Sequence, residues 1–562
     1  MSDSSPFEPS TVYWAETHEV INQPPALENY NAYTQDLALQ EGVKAHGGEW
    51  GQEDLTRFGA VTGSAEVIEW GYQANDNKPV LHTHNRHGVR VDEVKFHPAY
   101  HQLMKLAIEE GLHASHWLEQ KTGSQVVRAA KYYLQTQVEA GHGCPITMTS
   151  AAIPALKNQP DLFAVWAPKI MAGQYDAKNS PDGEKAGLTI GMAMTEKQGG
   201  SDVRTNSTRA YAVDKNNAGP GQAYELIGHK YFVSAPMCDA FLVLAQTESG
   251  VSCFLVPRWR PDGSKNPIQI QKLKNKMGNV SNASSETELR GALGWMVGSE
   301  GRGVASILDM VAMTRFDCMI GSSAGMRQAV AQITHHCSQR SAFGKLLTDQ
   351  PLMQNVLADL IIESEAALAI TLRMARALDS SEKDEQEKLL VRMGTAVGKY
   401  WICKRTPGHA YEAMECIGGM GVMEDGMMPR LYREAPINAI WEGSGNVQCL
   451  DMIRAMVKAP QSLPAFLAEV NKARGVNSLL DQAIDDLSAQ FAKPETLEYR
   501  ARSVVEKMAL AFQASTLIQF GDAVIADAFC RSRLADNSGW VYGTLPEGID
   551  CAAIIKRATP QV

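Results

Sequence analysis

Ala193-Met194-Thr195-Glu196-Lys197-Gln198-Gly199-Gly200-Ser201-Asp202 is the most informative stretch of this 562-residue chain. It follows an apolar run, residues 188–194, that reads as a buried strand ending at Thr195. Two adjacent glycines let the backbone approach a flat ligand closely. Thr195 and Ser201 offer hydroxyls, and N–H groups freed by the loop can donate to polar ring atoms or to phosphate. The residues alone leave a plain polar loop open as the other reading.

Outward from this stretch the texture is β on one side and helical on the other. Residues 208–213 alternate in polarity, residues 216–221 are turn-rich, and residues 224–227 resume the alternation, which is a hairpin signal. Residues 240–245 and 252–256 are short buried-strand candidates. Residues 1–90 read as irregular, broken at Gln23-Pro24-Pro25. Helical spacing is predicted from Asp92 to about Gly111, over 125–139, and onward to Tyr175. It returns over 304–459, where the charge run 379–388 reads as a solvated turn between two long helices. Residues 479–491 and 504–520 each carry an apolar stripe; Pro494 separates them and Pro464 marks a boundary. The predicted fold is mainly α with a central antiparallel β domain. Its divisions are 1–186 (N-terminal segment and helical domain), 187–297 (β domain), 298–461 (helical bundle) and 462–562 (a further helical domain).

Composition narrows the function classes. Asp and Glu outnumber Lys and Arg by 63 to 53, a net charge of −10, which argues against a protein that coats nucleic acid generally. Apolar residues are 44% and charged residues 21%, so the chain is globular rather than disordered. No run of 18 apolar residues occurs, so no membrane-spanning helix is expected. The start, MSDSSPFEPS, lacks the basic and apolar regions of a signal peptide. The ten cysteines form no C-x-x-C pair and lie in apolar surroundings, as buried thiols do; the expected location is the cytoplasm.

Several motifs fail on context. Gly321-Ser322-Ser323-Ala324-Gly325 has the letters of a hydrolase elbow but lies inside a predicted helix, where small residues suit a helix contact. Gly298-Ser299-Glu300-Gly301-Arg302-Gly303 has the wrong glycine order for a dinucleotide turn. His335-His336-Cys337 are adjacent on a helix and do not share a face. Two further signals stand beside the glycine loop. In Ile440-Trp441-Glu442-Gly443-Ser444-Gly445-Asn446 a lone carboxylate follows a large aromatic, and a carboxylate shielded from water becomes a usable base. A surface glutamate in a capping loop is the other reading. In Gln339-Arg340-Ser341-Ala342-Phe343-Gly344, with Gln350 beyond, Arg can grip a pyrophosphate and Phe can cover an adenine. An arginine on an exposed helix is the other reading there.

Taken in this order, the three signals resemble the acyl-CoA dehydrogenase family over roughly residues 90–460. M-T-E-K-Q-G-G-S-D resembles its flavin-binding segment, Q-R-S-A-F-G its helix that reaches the cofactor of a neighbouring subunit, E-C-I-G-G-M-G-V its second glycine signature, and W-E-G-S-G-N its catalytic-base loop. Phe96-His97-Pro98-Ala99, Cys144-Pro145-Ile146-Thr147-Met148-Thr149, Gly228-His229-Lys230, Met313-Thr314-Arg315-Phe316-Asp317-Cys318 and Pro429-Arg430-Leu431-Tyr432-Arg433-Glu434 are similar to its adaptive-response, AidB-like branch, which extends the likeness to nearly the whole chain.

The resemblance implies FAD as cofactor, a homotetramer, and α,β-dehydrogenation of an acyl-CoA with Glu442 as base. It implies cofactor contacts at Met192, Thr195, Gly200, Ser201, Phe232, Val233, Ser234, Ile440, Trp441, Gly443, Ser444, Gly445 and Asn446. It places Arg340, Phe343 and Gln350 at the cofactor of another subunit. No metal is implied. The alternative it implies is a flavoprotein that binds double-stranded DNA and protects it from alkylation. Glu415 and Val422 depart from the Gln and aromatic of ordinary dehydrogenases, and Val447-Gln448-Cys449 lacks the usual downstream Arg. Residues 462–562 hold ten Lys or Arg against twelve Asp or Glu, a net of −2, so DNA binding would need a local stripe such as Arg531, Arg533, Lys556 and Arg557.

Overall fold

The structure, a computed structural model, describes residues 18–535 and 539–561. The N-terminal stretch read for signal-peptide character lies outside the described residues. At the centre is a seven-stranded sheet: β3 (Ile190–Ala193), β4 (Arg209–Ala212), β5 (Ala223–Ser234), β6 (Ala240–Thr247), β7 (Gly250–Pro257), β8 (Ile268–Leu273) and β9 (Ser284–Val297). Its order is β3-β6-β4-β5-β9-β7, and β6 also pairs with β7, so the sheet curls onto itself. Most pairings are antiparallel, but β3 and β4 run parallel to β6. Strand β6 is apolar and buried on both faces. Leu242 and Leu244 pack outward with Ile153 and Trp166 of the helices Gly143–Leu156 and Pro160–Ile170, while Phe241 and Val243 fill the curled interior with Phe254 and Met296. Side chains alternate along a strand, so two covered faces require an unbroken apolar run.

Two N-terminal expectations are corrected. Residues 1–90 are not irregular throughout: helices span Leu37–Ala45, Gln52–Thr62 and Ala65–Asp76, and β1 (Val80–His84) follows. Each helix is short and carries only two to four buried positions, too few to show periodicity against the Gly, Asn and Gln between them. The signals present are local ones, the N-caps Asp36 and Ser64, whose side chains accept from Leu39 N and Val67 N. Residues 92–95 are not helical either; they belong to β2 (Arg90–Lys95), paired with β1, and the helix Pro98–Glu109 begins at its proline.

The helices Leu308–Cys337, Pro351–Ser380, Glu385–Ile417 and Gly445–Lys458 follow, and Met310 and Met313 of the first join the outward cluster of Leu242, Leu244, Ile153 and Trp166. Asp384 caps the third, accepting from Gln386 N at 2.9 Å. At the edge of the charge run, Asp379 turns inward to accept from Gln125 N at 2.7 Å, and burial lifts its carboxyl to about 6. Ser323, from the failed hydrolase motif, bonds Thr371 of the neighbouring helix at 3.0 Å. Buried Arg128 pairs with Asp317 and ties the N-terminal helices to this bundle.

Between the first two long helices the Q-R-S-A-F-G stretch is a hairpin, not a helix. β10 (Ser341–Ala342) pairs with β11 (Lys345–Leu346). Phe343 and Gly344 between them take φ of +51° and +77°, the left-handed pair of a type I′ turn, which no helix can contain.

The C-terminal helices Ser462–Asn471, Ser478–Phe491, Leu497–Phe520, Ala523–Arg533 and Cys551–Ala558 share one buried cluster with the bundle, Phe466, Phe512 and Ile555 joining Leu357 and Ile361. Pro464 sits in the first turn of the helix Ser462–Asn471. Arg373 of the bundle bonds Glu469 at 2.6 Å and Glu387 at 2.8 Å. Three of the four basic residues named for a local stripe are ion-paired within the chain. Arg533 pairs with Asp359 and Glu363, Arg557 with Glu41 and Glu365, and Arg531 with Asp527, so their charges are already met. All ten cysteines are free thiols, nine of them buried. Among the described residues no helix is long and apolar enough to cross a membrane.

Candidate active site

The Ile440–Asn446 loop joins a short helical turn to the helix Gly445–Lys458 through two consecutive left-handed residues, Glu442 at φ +57° and Gly443 at φ +95°. A glutamate in that region costs about 1–3 kcal/mol and persists only when its surroundings fix it. They do. Lys399 Nζ donates to Trp441 O at 2.8 Å and Gly443 O at 2.6 Å. Gln448 Nε2 donates to Glu442 O and Gly443 O at 3.0 and 2.9 Å. Arg315 Nε donates to Glu442 O at 3.0 Å and is itself held by Asp451, which also binds Arg392. At φ +95° any side chain on Gly443 is strained, and its Cβ would lie 2.7 Å from Gln448 Nε2. The carboxylate of Glu442 accepts a hydrogen bond from Thr314 Oγ1 at 2.7 Å.

Opposite stands the sheet. In the glycine loop, Glu196 is the residue that shapes the chain. Its buried carboxylate accepts from Lys230 Nζ at 2.9 Å, Ser207 N at 2.7 Å, Thr208 N at 3.1 Å and Gln198 Nε2 at 2.7 Å. The Lys230 ammonium and these donors hold it well below the usual carboxylate range, while burial lowers Lys230 to about 8. At the end of β5, alternation sends Val233 into the curled interior and leaves Phe232 and Ser234 on the outer side.

Between loop and sheet lies one cavity of about 2060 Å³. Pockets for single drug-sized ligands run to roughly 300–1,000 Å³, so there is room here for two ligands side by side. Met192, Thr195, Gly200, Ser201, Phe232, Ser234, Ile440, Trp441, Glu442, Gly443 and Ser444 all line it. The FAD implied by the resemblance fits this donor set. Met192, Met194, Phe232 and Trp441 form apolar walls for a flat ring, and the hydroxyls of Thr195, Ser201 and Ser234 stand at their margins. Thr147 Oγ1 is buried against the same cavity with no partner in the chain, an unmet polar group of the kind a ligand satisfies.

The remaining expected positions lie elsewhere. Gly445 and Asn446 sit in the first turn of the following helix, Asn446 exposed. Arg340, Phe343 and Gln350 are outside the cavity of their own chain. Phe343 is 100% exposed at the hairpin tip, Gln350 Nε2 donates to Ala342 O at 3.0 Å, and Arg340 donates to Asn22 O. Asn22 braces the hairpin, accepting from Ser341 N at 2.7 Å and donating to Ser341 O at 2.8 Å. Sequence reasoning missed Thr314, Arg315, Lys399, Gln448 and the Glu196–Lys230 pair. Thr314, Arg315 and Lys230 fall inside quoted motifs, and Gln448 was noted only as a departure. Lys399 lies within a long helix and gives no local signal.

The comparisons with known proteins agree with this geometry. Residues 22–177 match the model of the adaptive response protein AidB N-terminal domain, residues 191–292 that of the acyl-CoA dehydrogenase middle domain, and residues 301–457 that of the acyl-CoA dehydrogenase C-terminal domain. AidB of Escherichia coli (strain K12) is 42% identical over 530 residues, 94% of this chain and 96% of that one. The structure of Caenorhabditis elegans ACDH-11 in complex with C11-CoA superposes with a TM-score of 0.85 at 25% identity, covering 93% of this chain and 95% of that one. An acyl-CoA dehydrogenase complexed with FAD from Bacillus anthracis shares the fold at a TM-score of 0.65 and 17% identity, covering 88% and 86%. With a relative this similar along almost its whole length, and a cavity that suits the family's cofactor, the chain belongs to the acyl-CoA dehydrogenase family, in its AidB branch, and is an FAD-dependent oxidoreductase.

Proposed function

We propose that the protein removes one hydrogen from each of the α and β carbons of an acyl thioester, with Glu442 as the base that takes the α-proton. The observation that carries this reading is the seating of Glu442: a left-handed residue, clamped through its own and its neighbours' carbonyls, with its carboxylate set by Thr314 in the cavity that the sheet walls from the other side. FAD, when bound, supplies the acceptor for the β-hydrogen and its electron pair. The chain's residues do the rest. Met192, Phe232 and Trp441 exclude water and orient flat groups, and Thr195, Ser201 and Ser234 offer hydrogen bonds to polar ring atoms. Holding the base and the acyl carbons at fixed separation supplies much of the rate. Relatives bear on substrate class: ACDH-11 is seen with C11-CoA.

Arg340, Phe343 and Gln350 serve the cofactor of a neighbouring subunit in a homotetramer. The support is a fully exposed aromatic presented on a rigid, braced turn. The DNA-binding alternative draws little support from Arg531, Arg533 and Arg557, whose charges are paired within the chain.

The test is anaerobic bleaching of the FAD-loaded enzyme by acyl-CoA thioesters. Glu442→Gln keeps its FAD and bleaches with none of them. Unchanged reduction kinetics in that variant remove Glu442 from the role.

A further inference from the structure

One end of the cavity is built unlike the rest. Its walls are the end of the helix Ser124–Val138, the segment leading into β9, and the helix Met428–Glu434. Lys276 lines it, and its Nζ donates to Asn282 O at 2.9 Å and Ser284 Oγ at 3.1 Å. An ammonium has three donors, and among the described residues Lys276 makes no ion pair. Arg430 lines the same end, its guanidinium 4.9 Å from the centre of the Tyr72 ring, with Nη2 on Val138 O at 2.8 Å and Nη1 buried without a hydrogen-bond partner. Asn282, beside Lys276, has both side-chain polar atoms buried and unpaired.

Glu139 and Glu434, the carboxylates nearby, form no ion pair with Lys276 or Arg430 at contact distance. Glu139 is committed elsewhere: it accepts from His142 N and Nδ1, Gly141 N, Ser281 Oγ and Asn75 Nδ2, and His142 holds it down at about 2. Glu434 accepts from Asn279 N at 2.7 Å, and burial, reinforced by the Glu139 charge, lifts its carboxyl to about 7. Cys144, between them, is a neutral thiol pushed up by burial to about 11. Burial likewise lowers the Lys276 ammonium, as expected of a cation that lacks a counter-charge. Lys276 has no carboxylate at ion-pair distance, and an ammonium lining an enclosed cavity is costly unless an anion arrives. Cys144 lies within electrostatic reach of both Lys276 and Glu442, so this end and the catalytic carboxylate serve one ligand space.

We propose that this end is an anion subsite, with Lys276 its principal ligand, that receives a carboxylate at the far end of the acyl group, so that the preferred substrates are CoA thioesters of dicarboxylic acids. The inference rests on the dehydrogenase reading above and sharpens its substrate class. A charge-assisted hydrogen bond in an enclosed site supports a preference of about tenfold or more over the uncharged analogue.

Calorimetric titration of the FAD-loaded, full-length protein tests it. The probes are succinyl-, glutaryl- and adipyl-CoA, each against the monoacid thioester of equal length: butyryl-, pentanoyl- and hexanoyl-CoA. At least one dicarboxylic thioester binds about tenfold tighter than its monoacid partner; Lys276→Met removes that preference and Lys276→Arg keeps it. Equal affinities in the native protein overturn the subsite while leaving the dehydrogenase reading standing, and this comparison needs no variant to fold. A preference that survives Lys276→Met overturns the role of Lys276. Binding of none of the six overturns the subsite and the acyl-CoA reading together.

Discussion

The hydroxyl of Thr314, on the first long helix of the bundle, gives its one hydrogen to Glu442 Oε2 at 2.7 Å. The bond spans 128 residues of sequence and is the contact that holds the carboxylate itself, since the clamp on the loop acts only through backbone carbonyls. Thr314→Val keeps the shape and removes the donor. A hydrogen bond to a charged group contributes about 1.5–3 kcal/mol, so flavin bleaching slows about tenfold to a hundredfold while FAD content stays native. Rapid-mixing absorbance measures this, and a rate within twofold of native denies the bond a catalytic consequence.

How far the sequence announced this site depends on the range of the interactions. The strands β6 and β7 were legible because both their faces are covered, which leaves a local apolar run. The three motif stretches were legible as stretches, but the contacts that give them shape were not. Glu196 meets Lys230 across 34 residues and Lys399 meets Gly443 across 44, and no local periodicity encodes such pairs. The helix expected at Q-R-S-A-F-G became a hairpin through the φ values of Phe343 and Gly344, and the glycine was the single cue. The N-terminal helices were lost for the opposite reason: each is too short to repeat its own pattern.

The Glu196–Lys230 pair underpins the glycine loop and has a double-mutant signature. Both side chains are fully buried, so removing one partner leaves an uncompensated charge, a loss of about 3–5 kcal/mol. Glu196→Gln and Lys230→Met each destabilise by that order and release FAD, and the double variant loses less than the sum. Urea unfolding of the three variants at one fixed FAD concentration reads the coupling. Strict additivity shows that the pair does not hold the loop.

Glu434 gives a pH signature of definite sign. Its native carboxyl lies near 7, raised from about 4.5 by burial and by Glu139. Below about 4.5 the native and unfolded states are both protonated and the group contributes nothing. Between there and 7 the unfolded chain ionises while the native state keeps its proton, so stability falls as pH rises. The loss is complete above 7 and amounts to about 3 kcal/mol. Glu434→Gln, which retains an acceptor for Asn279 N, flattens that slope. Chemical denaturation of both proteins from pH 4.5 to 8 decides it; parallel curves mean that Glu434 does not titrate in this window.

Phe343 tests the assembly. Its ring is fully exposed and its backbone sits at φ +51°, a conformation a phenylalanine adopts at a cost. Among the described residues no side chain covers the ring, and the proposed role at a neighbouring subunit's cofactor gives it a cover. Phe343→Asn suits the left-handed turn better and removes only the ring, so the isolated subunit is no less stable. If the ring packs on a neighbour's cofactor, the variant loses FAD on gel filtration and its thermal midpoint stops rising with added FAD, because binding and assembly stabilise each other. Asn22→Ala, which frees the base of the hairpin, moves the same two readings in the same direction by a smaller amount. Full FAD retention by Phe343→Asn, with an unchanged mass by light scattering, places the hairpin outside the cofactor site of any subunit.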